Sequence, residues 1–155
     1  MEGDDAGIQS LQALLEDDVD TWALLEGAPP RPDEARQLIS DRPGGVTPDR
    51  KYVWIWGSDA VLDIVEGYPD ATTWYLGLIF IAPRARNTGL GAHFMRALAD
   101  YVRAHGGTAL RLAVVTDNIG ARRLYDRLGF AFVDRRKRGL WTGDTHECDV
   151  LELRL

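Results

Sequence analysis

The chain has 155 residues, 45% of them hydrophobic, and a single cysteine. It can bury a real core as one domain spanning residues 1–155, but it cannot close an internal disulfide, which fits a reducing cytoplasm. No apolar run approaches the roughly 20 residues of a membrane helix, and the N-terminus lacks a basic and apolar signal pattern.

The net charge of −6 hides a partition. Residues 84–138 hold 12 basic and 4 acidic side chains, a net of +8, and the rest hold 6 basic and 20 acidic, a net of −14. The basic part would suit a polyanionic ligand, whereas the acidic part would attract a cationic acceptor and repel nucleic acid. The plainer reading is a set of solvated faces with no addressee.

Residues 1–7 are acidic and expected to be frayed or disordered. Ile8, Leu11, Leu14 and Leu15 recur at helical spacing, and a second short helix covers residues 21–26 before Gly27-Ala28-Pro29-Pro30 breaks it. Asp33-Glu34 starts a third helix through Ile39, stopped near Pro43-Gly44-Gly45. Residues 51–56 and 60–65 read as a hairpin about Gly57-Ser58-Asp59, and a turn at 67–70 leads into a long strand, 72–81. A helix over 92–105 has Phe94, Leu98, Tyr101 and Val102 on one face and ends at Gly106-Gly107. Leu110, Leu112 and Val114 alternate in a strand. Thr116 or Asp117 is the expected cap of a helix burying Ala121, Leu124, Tyr125 and Leu128. Residues 130–134 and 149–155 read as closing strands around a loop with Trp141, Asp144 and His146. This order is α+β with a βαβ-like unit in the middle.

That unit contains the informative stretch. Residues 78–91 run from an apolar strand through Ala82-Pro83 and a basic turn into Gly89-Leu90-Gly91. A glycine-rich turn entering a helix presents unpartnered amides and the positive end of the helix dipole, so it suits an anion. No Lys-Ser/Thr follows Gly91, which excludes a P-loop, and Phe94 stands where a dinucleotide fingerprint needs its third glycine. Arg86-x-x-Gly89-x-Gly91 resembles the acyl-CoA loop of the GNAT (Gcn5-related) N-acetyltransferases. A second segment, Asn118-x-x-Ala121-x-x-Leu124-Tyr125-x-x-x-Gly129-Phe130, resembles another motif of that family at the expected distance.

The resemblance implies a GNAT-like, mostly antiparallel mixed sheet with helices on both faces, splayed at the acyl-CoA site. It implies direct transfer of the acetyl group of acetyl-CoA to a primary amine. Pantetheine would pair with the backbone of Ile79 and Ile81, and the pyrophosphate would sit on the amides of Arg86, Asn87, Thr88, Gly89, Leu90, Gly91 and Ala92. Tyr125 matches the tyrosine that protonates or hydrogen-bonds the leaving thiolate; helical spacing alone would make it a packing residue. Asn118 would hold the splayed strand or the cofactor arm, or cap its helix. The acidic remainder makes the acceptor a small cationic molecule, with no metal, nucleic acid or membrane partner and a homodimer left open.

The chain also departs from the pattern. The family usually has a strand before the first helices, and here it is missing or vestigial. Many members read Arg-Gly-Lys/Arg-Gly-x-Gly where this chain has Asn87 and Thr88. Asn87 tolerates the left-handed backbone, Thr88 replaces a cation and predicts weaker affinity, and Arg84 is the candidate to compensate. A catalytically degenerate acyl-CoA sensor or interaction protein is therefore the alternative. No single base stands out among Tyr75, Glu66, Asp63, Asp70, His146 and a water relay. Cys148 reads as a small buried hydrophobe and Arg135–Arg138 as a solvated strand end. His93 and His105 read as surface residues, and the five tryptophans as core or pocket walls.

Overall fold

The computed structural model describes residues 5–140 and 142–155. Six strands form one sheet in the order β1-β2-β3-β4-β6-β5. They are β1 (Lys51–Trp56), β2 (Ala60–Glu66), β3 (Thr73–Ile81), β4 (Ala109–Val115), β5 (Ala131–Gly139) and β6 (Thr145–Arg154). Every neighbouring pair is antiparallel except β3 and β4. A parallel pair needs a long crossover, and here α4 (Leu90–Ala104) provides it.

The alternation of apolar residues buries both faces of the sheet. On one face α4 and α5 (Ile119–Arg127) cover Leu62, Ile64, Trp74, Leu76, Leu110, Leu112 and Leu151. On the other, α1 (Asp5–Leu15), α2 (Val19–Glu26) and α3 (Glu34–Ser40) press Leu11, Leu15, Trp22 and Ala35 onto Val61, Phe80 and Ala82. Each large side chain sealed in this way stabilises the fold by roughly 1.5–3 kcal/mol. The expected mostly antiparallel mixed sheet with helices on both faces is what the chain forms. Among the described residues no strand precedes α1, so β1 lies at the sheet's edge.

Several boundaries differ from expectation for identifiable reasons. Asp5, Ala6 and Gly7 are helical rather than frayed. Asp18 caps α2 by accepting from the Thr21 amide at 3.2 Å, which starts that helix two residues early. Asn118, not Thr116 or Asp117, caps α5. The β5–β6 hairpin extends much further than expected, because its charged residues form an exposed strand without an apolar alternation. His146 therefore lies in β6 rather than in a loop, and Trp141 lies outside the described residues.

One irregularity determines what the sheet can do. Asp63 pairs with Leu78 while Ile64 pairs with Leu76, so Gly77 is an extra residue that bulges β3. Trp74 and Leu76 before it, and Ile79 and Ile81 after it, thereby all face α4. The β3–β4 pairing ends at Leu76 and Leu112, one residue before the bulge.

Candidate active site

Beyond Leu76 and Leu112, β3 and β4 part, and the resulting cleft has Ile79 and Ile81 on its β3 side. The turn at its mouth is built from backbone. Asn87 takes φ 58°, the left-handed conformation for which asparagine is suited, and Gly89 takes φ 82° as the N-cap of α4. Among the described residues the amides from Asn87 to Ala92 have no hydrogen-bonded backbone acceptor, and those that open α4 carry the positive end of its dipole. Gly91 lets this turn come close: a Cβ there would stand 3.3 Å from both Ile81 Cδ1 and Leu124 Cδ2.

The arginines of the turn face elsewhere. The Arg86 guanidinium bonds Asp18, donates from Nε to the Ile81 carbonyl at 2.9 Å and lies over the Phe80 ring. It braces α2 against the end of β3 and engages the carbonyl of Ile81, one of the two residues whose backbone is expected to pair with pantetheine. Arg84 donates to Ser58 Oγ at 2.9 Å and Asp59 Oδ1 at 3.0 Å, so it does not replace the cation missing at Thr88. The Thr88 hydroxyl donates to the Ala85 carbonyl at 2.7 Å.

Tyr125 reaches the core from α5, beside Phe130, and is only 6% exposed. Its hydroxyl has no hydrogen-bond partner among the described residues, and burial pushes its pKa up to about 12. That favours a phenol that keeps its proton and donates it as a hydrogen bond. Asn118 Oδ1 accepts from the Ala121 amide at 3.3 Å, so its carbonyl serves as a cap.

The candidate bases lie apart: Glu66 stands opposite Trp74 on the α4 face, whereas Asp63 and Tyr75 are on the other face. Asp70 accepts from Thr72 and Thr73 in the turn before β3. Glu66 accepts from the Tyr52 hydroxyl at 2.9 Å. Asp63 pairs with the buried ammonium of Lys51, and its carboxylate fills the space that a Cβ on Gly77 would occupy. These three have structural partners. Tyr75 remains, its ring edge-on to Tyr68 at 5.4 Å and its phenol pushed up by burial, with Cys148, Arg136 and Arg138 near enough to act on its charge. His146 remains as well: its Nδ1 is buried without a hydrogen-bond partner, and its Nε2 would lie 3.8 Å from a Cβ on Gly27.

Cys148 is buried as expected, and Trp22, Trp54 and Trp74 pack in the two cores, whereas Trp56 is exposed. His105 is exposed but stacked on Tyr101 at 3.9 Å. Among the described residues no cluster of three His, Cys, Asp or Glu side chains could hold a metal, and no helix is long and apolar enough to cross a membrane. Sequence reasoning missed the Gly77 bulge and the Lys51–Asp63 and Asp18–Arg86 bridges. Only the first left a signal, a glycine inside an apolar strand.

A mostly antiparallel sheet parted beside a glycine-rich strand-to-helix turn is the architecture of an acyltransferase class. The family model described as the acetyltransferase (GNAT) family matches residues 11–130, and the chain belongs to that family. An acetyltransferase from Thermus thermophilus superposes with a TM-score of 0.74 at 21% identity, covering 96% of this chain and 90% of the other. The ribosomal-protein-S18-alanine N-acetyltransferase of Escherichia coli gives 0.69 at 17% identity, covering 99% and 91%. At these identities the likeness is one of fold. No curated protein matches the sequence.

Proposed function

We propose that the protein transfers the acetyl group of acetyl-CoA to the primary amine of a small molecule. The observation that carries this reading is the run of amides from Asn87 to Ala92, without a backbone acceptor among the described residues, at the mouth of the β3–β4 cleft. The diphosphate would rest on those amides and the pantetheine arm would enter the cleft beside Ile79. The amine, approaching from the Tyr75 face, would attack the thioester carbon. The C–S bond would break with its electron pair going to sulfur, and the amine proton would leave to His146 or water.

Tyr125 would hold the departing thiolate with a hydrogen bond. A phenol at about 12 gives its proton to a thiolate with a reference pKa of about 8.5 only against a steep gradient. The role is therefore electrostatic stabilisation rather than full proton transfer. A cationic acceptor is supported by the acidic excess outside residues 84–138.

The engagement of Arg84 and Arg86 favours a second reading, an acyl-CoA-binding protein without turnover. Thiol release from acetyl-CoA with a panel of small amines separates the two. Release above the no-enzyme rate supports transfer; CoA binding by calorimetry without release supports the second reading.

A further inference from the structure

The two edges of the sheet are built differently. Along β5, Asp134, Arg135, Arg136, Lys137 and Arg138 follow one another, all exposed, after a register slip at Val133. Charges and bulges are how natural sheet edges refuse to pair. β1 has neither a proline nor a register slip against β2. Its single charge, Lys51, turns inward onto Asp63, leaving that side chain 5% exposed. Beyond Lys51 the strand reads Tyr52-Val53-Trp54-Ile55-Trp56, with Ile55 48% and Trp56 60% exposed. Beside it, Trp54 and Trp56 with His93, Phe94 and Ala97 of α4 line a groove of about 290 Å³. Among the described residues no strand pairs with this edge.

We propose that β1 pairs antiparallel with β1 of a second copy, about a two-fold axis at Trp54, joining two sheets into one. A two-fold axis perpendicular to the sheet keeps each side chain on its own face. Tyr52 then lies opposite the second copy's Trp56, and Trp54 opposite its own counterpart, all on the α4 face. Val53 lies opposite Ile55 on the other face. Aromatic pairs and β-branched pairs are among the cross-strand contacts that stabilise antiparallel sheets, and no like charges meet. This self-matching selects a second copy of the chain over a foreign strand. A stable dimer buries about 800 Å² per partner, so the contact must extend from the strand into the groove beside α4.

The test is the mass in solution by light scattering and sedimentation at about 50 µM, well above a micromolar dissociation constant. The expected value is twice the 17.3 kDa of the chain. Trp56→Lys supplies the guard charge that β1 lacks and should give the single-chain mass with a native melting curve. Ile55→Lys answers the same question if that variant fails to fold. Ile119→Lys, at a residue 61% exposed on α5, should remain dimeric. A Val53→Cys, Ile55→Cys chain should cross-link on oxidation and separate on reduction. A wild type that stays at the single-chain mass overturns the proposal. So does a dimer that survives both lysine variants, and a dimer in which the cysteine pair never links overturns the register.

Discussion

At the scale of single residues, Tyr125 separates chemistry from packing. Tyr125→Phe keeps the ring against Phe130 and removes a hydroxyl that has no partner among the described residues. Melting temperature and CoA affinity should therefore stay near native. Turnover at saturating acetyl-CoA should fall by about 10²-fold, the low end for a hydrogen-bond donor aimed at developing negative charge, because the contact forms mainly in the transition state. An unchanged rate would return Tyr125 to the core and nothing more. Asp18 offers a second test. Its hydrogen bonds from Thr21, together with the Arg86 guanidinium, lower its pKa from 3.8 to about 2 despite the opposing effect of burial. A depressed carboxylate pKa stabilises the fold above pH about 3.8, and that contribution disappears as pH falls toward 2. Asp18→Ala should destabilise by about 1–2 kcal/mol at pH 7, chiefly through the lost cap. The gap between the two melting curves should narrow as pH falls below about 3.8 and be largely closed once it reaches about 2. A gap of constant size from pH 4 down to pH 2 would mean that ionised Asp18 does not matter.

At the scale of elements, the turn between β3 and α4 was legible from sequence because glycine spacing, Asn87 and the following helix all point one way. The split in the sheet was not. Leu76, Leu78, Ile79, Phe80 and Ile81 are apolar on both sides of Gly77, and where both faces are covered a continuous apolar run carries no parity, so the register slip leaves no trace beyond the glycine itself. β5 was cut short for the opposite reason, since a strand polar on both sides resembles a loop. The geometry also separates two glycines that look alike in the sequence. Gly89 has open space where a Cβ would go, although its φ of 82° strains any other residue, whereas a Cβ on Gly91 would press on Ile81 and Leu124. Gly89→Val should weaken acetyl-CoA binding at least tenfold with a stability loss of only about 1–2 kcal/mol. Gly91→Val should lower stability and binding together, so it cannot serve as the clean test. Calorimetry and thermal melts on the same samples decide, and full affinity in Gly89→Val would remove the turn from the binding site.

At the scale of the whole molecule, the charge partition finds a use inside the protein. Arg84 pairs with Asp17 and Asp59, Arg86 with Asp18, Arg111 with Glu152, Arg122 and Arg135 with Asp149, and Arg138 with Glu26. Each pair ties the basic segment to an acid outside it, so much of the asymmetry holds parts of the chain together rather than awaiting a partner. The pairs exposed on both sides, Arg84 with Asp17 and Asp59, contribute little individually, but together the pairs leave fewer free charges than the composition suggests. Acetyl-CoA should still raise the melting temperature by mass action. At 100 times its dissociation constant it adds about 2.7 kcal/mol, which is a shift of roughly 5–10 °C for a chain of this size. ATP and NADH should not match it, and an equal shift with ATP would mean that the turn recognises phosphate without the pantetheine arm.

The turn that holds its arginines away from the cleft has a consequence for ionic strength. Amide dipoles act over a few ångströms and do not release counterions, whereas free guanidinium groups attract at a distance and weaken as salt shortens the Debye length from about 10 Å at 0.1 M toward 3 Å at 1 M. The protein also carries a net −6 and so repels an anionic cosubstrate at long range. Between low and high salt the affinity for acetyl-CoA should therefore stay flat or improve slightly, with association fastest when the repulsion is screened. A tenfold loss of affinity over that range would reveal mobile cations at the diphosphate.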